Sequence, residues 1–434
     1  MKFSTETLVK ITDLLVTEFA EQLTEGSVSF NALEHELREA LQSIGQESVG
    51  QMLTLYDQQS QGVVSECRCG QRAKRVSRRE AQILSVFGWA CYRRSYYACR
   101  HCGRRWYGLD ERENLRAGRA SAGMSRLLGI AGVTVSFEEA QRHIREYLLV
   151  GVSINTIRSE TQRIGRMQSQ RENEWLQQSQ DLEHLQKRER LPVVTERVYG
   201  SIDGAFVPLK EGWKEEKTIC WYQAGQRYGS NELRATHLQY YTSLEEAASF
   251  GELVWATGLQ HLVDHAKELV FVCDAAAWIW KLVTHYFPDA IQIVDWYHAC
   301  QRLYAVAEML VGYSEPERIT WLEQVKTFLW EGELPVLIQT LQNLRPDHPN
   351  CQVLEEAITY YENNQARMDY AYFRAQGYFI GSGTVESACK QIVALRLKRA
   401  GARWAQAGAS AVAKARAAWL SHQWDDLDLL PLAG

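Results

Sequence analysis

No apolar stretch of the 434-residue sequence approaches the ~18 residues that a membrane span needs, and the longest are of strand length. Met1–Thr7 lack a basic region followed by an apolar one. A signal peptide is therefore not expected, and the expected location is cytoplasmic. Internal repeats and low-complexity tracts are missing too, which removes solenoid and disordered-tail readings. An excess of positive charge is also lacking: 48 Lys and Arg face 53 Asp and Glu, a formal charge of −5. Ten cysteines in a cytosolic chain do not suggest a disulfide framework, so close pairs point to metal and scattered ones to packing. What is present is ample core material, 46% apolar residues, enough for two to four domains.

The charge is unevenly spread. Residues 1–60 hold ten acids against Lys2, Lys10 and Arg38, a net −7. Residues 61–126 hold fifteen Lys and Arg against five acids, a net +10. Residues 387–420 hold seven basic residues and no acid. Two basic blocks on an acidic chain are what separate modules touching a phosphate backbone would leave.

Hydrophobic periodicity divides the chain further. Residues 1–60 predict acidic helices, 61–115 a basic Cys-rich module with β-type pieces, and 116–191 a helical segment. From 192 to 298 the pattern gives strands near 197–203, 217–223 and 234–241, and a helix from 243 to 257. A strand at 268–273, a helix around 276–287 and a strand at 290–294 follow. Three strands in hairpin succession, then alternating helix and strand, is the order of a ribonuclease-H-like α/β fold. Residues 299–379 predict an all-α insertion, and 380–434 a last set of basic helices.

Three acids stand where that fold would gather them. Asp203 and Asp274 end apolar runs, and Glu386 opens a basic helix in Gly381–Lys390. In the predicted order the first and fourth strands are parallel neighbours, about 4.8 Å apart, so Asp203 and Asp274 can share a metal ion. Carboxylates so placed suit two hard divalent cations, Mg²⁺ or Mn²⁺, in phosphoryl transfer. Asp295 ends the fifth strand, one strand further out. It and His298 are expected to support the site or to cap and pack, with Asp295 as the alternative second ligand. Asp-Gly is also a common turn pair, so Asp203 alone would read as structural.

Cys67 with Cys69 and Cys99 with Cys102 form two close pairs on glycine-containing knuckles, which suits a structural Zn²⁺ in a zinc-ribbon-like module. His101 is a possible substitute ligand there. The remaining six cysteines read as buried packing residues. Ser136–Glu139 form a helix-start box, and a short turn before Ile154 completes a helix-turn-helix-like outline in which Arg158 and Arg163 could face DNA. An ordinary packing pair has the same outline. Lys390, Arg396, Lys398, Arg399 and Arg403 follow Glu386 with no intervening acid, and read as contacts to a DNA backbone.

The segments around Asp203, around Asp295–His298 and from Gly381 to Trp404 together resemble bacterial insertion-sequence transposases, specifically the Kra-type branch of the Mutator-like DDE enzymes. The resemblance covers residues 60–424. It implies a metal site on Asp203, Asp274 and Glu386, and a matching Asp-x-x-His pair at Asp295 and His298. It also implies cutting at terminal inverted repeats and joining of 3′-hydroxyl ends to target double-stranded DNA. The expected protein is a nucleoid-associated homo-oligomer on DNA. The alternatives are a catalytically inert or domesticated DNA-binding regulator, and a ribonuclease-H-like nuclease without strand transfer.

Overall fold

The computed structural model describes residues 5–24, 29–188, 192, 195–226 and 233–427. Residues 1–4, residues 189–191 beside the domain boundary expected at 192, and the last residues from 428 lie outside them. The chain divides into two compact units, one ending at Glu160 and the other covering Thr161–Leu427. The division falls inside a single helix, Ile154–Gln180.

In the first unit four strands form one antiparallel sheet in the order β1-β2-β3-β4: β1 is Val64–Glu66, β2 Arg72–Ser85, β3 Gly88–Ala98 and β4 Arg105–Tyr107. β3 alternates between buried and exposed positions along much of its length, the pattern of a sheet covered on one face. The cover is the acidic helix Phe30–Ser60. Its Gly50 faces the Cys91 carbonyl oxygen so closely that a Cβ would lie 2.2 Å away. Its Asp57 is fully buried and accepts from the Ser95 N–H (2.9 Å) and hydroxyl (2.7 Å). The helix Phe30–Ser60 and the Cys-rich module thus share one core. Further on, Ser136 and Glu139 cap the helix Phe137–Leu148 reciprocally, as the start box predicts.

The second unit is built on a five-stranded sheet in the order β7-β6-β5-β8-β9. β5 is Thr195–Leu209, β6 Gly212–Gln226, β7 Leu233–Ser243, β8 Ala266–Cys273 and β9 Ile291–Val294. β5, β6 and β7 pair antiparallel, whereas β8 lies parallel to both β5 and β9. Helices Ala247–Gln260 and Ala277–Tyr286 make the crossovers. β8 reads Val270–Cys273 without a polar residue because all four are fully buried, as a central parallel strand covered on both faces requires. Trp221, Phe271 and Phe287 meet edge-on in that core, with ring centres 5.6 and 5.9 Å apart.

Helices fill most of the chain from Trp296 to Ala375. The chain then returns to the sheet with the helix Gly383–Cys389, a π-helical turn at Lys390–Ala394 and the helix Gln406–Leu420. The last of these packs against Ile154–Gln180. At Gly165 a Cβ would stand 1.8 Å from the Ala411 carbonyl oxygen, so only glycine permits this approach. No helix of the described residues is long and apolar enough to cross a membrane.

Candidate active site and metal centre

Strand register aligns three aspartates. β5 and β8 pair up to Gly200 with Phe271, and carrying that register three residues on sets Asp203 level with Asp274. The contact between them is kept by Ile202, whose N–H donates to Cys273 Sγ (3.2 Å). β8 and β9 pair up to Cys273 with Val294, so the next residues, Asp274 and Asp295, are level as well. The C-terminal edge of the parallel strands therefore carries a row: Asp203, Asp274, Asp295.

The three differ in surroundings. Asp203 is half-buried, and Oδ1 accepts from the Gly204 N–H (2.7 Å). Burial raises its carboxyl above the ordinary range; Gly204 and the Cys389 thiol oppose this, the negative charge of Asp274 adds to it, and His298 lowers it. Asp274 is also half-buried and lies in the turn that leads into the helix Ala277–Tyr286, with Oδ1 accepting from the Ala276 N–H (3.0 Å). Asp295 is almost wholly enclosed, its side chain 2% exposed. Its Oδ2 accepts from the Ser382 N–H, and its Oδ1 from the His298 N–H (2.8 Å) and Nδ1 (3.0 Å). Burial works against its charge, but these donors outweigh burial and hold the carboxyl below its usual range.

Glu386 arrives on the helix Gly383–Cys389, which packs on β5 and β6. Its side chain is 43% exposed, and Oε1 lies 3.7 Å from His298 Nδ1. The hydrogen bond to Asp295 raises His298 above the ordinary imidazole range, and the charges of Glu386 and Asp274 add to this. Asp295, His298 and Glu386 each offer a ligand atom within 4.8 Å of the others and could hold a metal ion. Asp203 and Asp274 are not in that close group. They join the cluster electrostatically, since Asp274 acts on both Asp203 and His298. The imidazole thus stands between the carboxylates of Asp295 and Glu386, and both favour its protonated form.

Two residues here escaped the sequence reading. Ser382 is the backbone partner of Asp295, and Cys389 stands against Asp203 and Thr218. Neither carries a local signal, because each is defined by a partner distant in sequence.

The basic residues separate into two kinds. Lys390, Lys398 and Arg403 are exposed and Arg399 is half-buried. Arg396 is buried, with its guanidinium 5.2 Å from the centre of the Trp404 ring, so it supports the fold instead of facing solvent. Lys414 pairs with the buried Glu172, and Arg416 donates to the Gln391 carbonyl (2.5 Å). Arg158 is exposed and bonded to Asn155 (3.0 Å), while Arg163 contacts Met167 Sδ.

Cys67, Cys69, Cys99 and Cys102 converge at the knuckles flanking the antiparallel sheet and could hold a metal such as zinc. Cys67 Sγ lies 3.5 Å from Cys102 Sγ, and Cys69 Sγ 3.7 Å from Cys99 Sγ. Tetrahedral Zn²⁺ with Zn–S bonds of about 2.3 Å puts its sulfurs about 3.8 Å apart, so the thiols already stand near ligand spacing. The first pair, with one residue between its cysteines where the second has two, is accommodated by the turn Cys67–Gly70, closed by the Gly70 N–H on the Cys67 carbonyl (2.8 Å) with Gly70 at φ +79. The Cys102 and His101 backbone N–H groups lower the Cys99 thiol, while the crowding of neighbouring thiols raises that of Cys69, so the thiols titrate together and not singly. His101 does not belong to the group. Of the six other cysteines, 220, 273, 300 and 389 are buried as expected. Cys91 is instead exposed, on the outward-facing side of β3 where burial alternates along the strand, and Cys351 is half-buried against Met309 at the start of the helix Gln352–Asn364.

Among curated proteins, none matches this chain. One family model does, over residues 23–425, which takes in both the cysteine cluster and the acidic row, and its description is Uncharacterised protein family (UPF0236). The chain belongs to that family.

Proposed function

We propose that the protein is a metal-dependent DDE transposase of the Kra type, with a ribonuclease-H-like catalytic core and a helical insertion. It cuts phosphodiester bonds at the terminal inverted repeats of an insertion sequence and joins the freed 3′-hydroxyl ends to target DNA. The observation that carries this reading is the register that sets Asp203 and Asp274 level on adjacent parallel strands, with Glu386 on a helix against the first of them.

The donor set fits hard divalent cations, since Asp203, Asp274 and Glu386 offer only carboxylate oxygens. Bound there, two Mg²⁺ or Mn²⁺ ions would stabilise charge on the attacking and leaving oxygens of an in-line displacement. Asp203 and Asp274 hold that charge at the sheet edge. Asp295 orients Glu386 by fixing the loop before its helix and the imidazole beside it. His298 can carry a proton next to the reacting phosphate. Exposed Lys390, Lys398 and Arg403 give the DNA backbone a cationic surface beyond Glu386. The cysteine cluster with zinc would brace a second, basic DNA-contacting module, and pairing two DNA ends requires at least two protomers.

The test is Mg²⁺-dependent cleavage and strand transfer on duplexes carrying the element's ends. Asp203→Asn and Asp274→Asn are each expected to abolish both steps while duplex binding persists. Full cleavage by either variant overturns the site. Binding by the wild type without cleavage favours a regulator, and cleavage without joining favours a nuclease.

A further inference from the structure

Beside Asp274 the second unit opens into a cleft of about 1100 Å³, bounded by the helices Ala277–Tyr286, Trp296–Met309 and Gln352–Asn364. Its volume is slightly above what ligand sites usually occupy, roughly 300–1000 Å³. Ala275, the residue after Asp274, forms part of its wall.

The lining has a mixed character. Two aromatic rings, Trp280 and Tyr360, carry guanidinium groups over their faces. Arg367 lies 5.0 Å from the Trp280 ring centre and Arg302 lies 5.2 Å from that of Tyr360. Burial raises the Tyr360 hydroxyl above its ordinary range; Arg302 opposes this, and the charges of Asp274 and Asp295 add to it. Trp280 Nε1 and the Tyr360 hydroxyl are buried with no hydrogen-bond partner among the described residues. Buried polar groups are normally paired, so two orphaned donors in one wall set this cleft apart from ordinary packing.

The charges favour an anion. Glu355 is tied to Arg345 by two bonds (2.7 and 2.6 Å), and Glu356 accepts from Gln352 (2.7 Å). Lys281 and Arg302 are exposed on the lining and form no ion pair among the described residues. Aromatic rings and guanidinium planes for a base, amide and hydroxyl groups for its edge, and two cations outside any ion pair for phosphate are what an unstacked nucleotide needs.

We propose that this cleft takes an unpaired nucleotide of the DNA strand next to the bond held at Asp203 and Asp274, its phosphate on Lys281 and Arg302 and its base against Trp280 and Tyr360. The assignment deepens the transposase reading and rests on it for its adjacency to a scissile bond. It requires the duplex to open locally at the site and one base to leave the stack.

The experiment uses the full chain with a fluorescent single-stranded oligothymidylate, the duplex of the same length, and thymidine monophosphate as competitor. Lys281→Ala with Arg302→Ala is expected to weaken single-strand binding about tenfold, equivalent to 1.4 kcal/mol, and duplex binding far less. A 4-thiothymidine oligomer should crosslink to peptides spanning residues 277–285 or 352–367. Trp280→Phe, which keeps the ring stack while removing Nε1, should retain the fold and alter single-strand binding alone. Equal loss on both DNAs, unchanged binding, or crosslinks confined elsewhere overturn the proposal. So does competition by the mononucleotide at oligomer concentrations, which would make this a free-nucleotide site. If the wild type cleaves DNA but the cleft variants bind single strands normally, the cleft inference alone fails. If binding depends on the cleft but the wild type never cleaves, the transposase reading fails and the nucleotide site stands.

Discussion

Asp295 and Ser382, 87 residues apart, are joined by a hydrogen bond from the Ser382 N–H to Oδ2 of the buried carboxylate. Since Oδ1 of the same group holds His298, one side chain fixes the end of β9, the imidazole and the start of the Glu386 helix together.

Asp295→Ala should therefore act by misplacing Glu386. It leaves buried donors unpaired, at about 1–3 kcal/mol each, so the melting temperature falls. Cleavage at saturating Mg²⁺ should drop ~10–100-fold, as when the support of a metal ligand is removed. Asp274→Ala should remove cleavage with little loss of stability. An Asp295→Ala protein that melts like wild type yet is wholly inactive would make Asp295 a metal ligand.

Zinc analysis of the purified protein should find one ion per chain, and Cys102→Ser should remove it. Because metal binding and folding of such a small sheet are coupled, chelation should loosen β1–β4 and leave the five-stranded sheet intact, readable by amide hydrogen exchange. Full zinc content in the Cys102→Ser protein would show that the four thiols are not the site.

The basic helices divide by burial. Lys398→Ala with Arg403→Ala should lower DNA affinity and flatten its dependence on salt by about 0.9 for each phosphate no longer neutralised, with unchanged melting. Arg396→Ala should do the reverse, lowering the melting temperature by removing the stack on Trp404 while leaving the salt slope alone. Titrations over a range of salt concentrations, with melting curves, separate the two.

Glu216 is fully buried on β6, with Oε1 accepting from Thr242 (2.6 Å), and burial pushes its carboxyl from 4.5 up to about 7. Between those values the native state keeps a proton that the unfolded chain has released, so stability falls as pH rises through the window and stays low above it. Glu216→Gln should flatten this decline and leave the protein more stable than wild type above pH 7. Denaturant titrations across the window test it, and parallel curves for the two proteins would contradict it.

The strands of the second unit were legible because a central strand such as β8 must be apolar on both faces and its neighbours alternate, which leaves short apolar runs ending in Asp. The two cysteine pairs were legible because metal ligands on knuckles keep short spacings. Arg396 and Arg416 were not, since an acid-free basic run looks solvated until a helix such as Gln406–Leu420 is seen packed among other elements. Nor was the role of Asp295. Its cap on His298 is local and readable, but its grip on Ser382 depends on how the chain returns after the helical segment. The cleft beside Asp274 was hidden for the same reason, with Lys281, Arg302 and Tyr360 drawn from three separate helices.

The row of aspartates is set by which residues sit side by side in the sheet, and so by no distance along the chain. Lengthening the chain between β6 and β7 or the helical stretch before Gly381 would leave Asp203, Asp274 and Asp295 abreast. Sliding β8 by a single residue would turn Asp274 to the opposite face of the sheet. The centre is thus tolerant of large insertions and intolerant of a one-residue slip, and relatives that differ widely in length can share it while any pattern written as fixed spacings between the acids would pass them over.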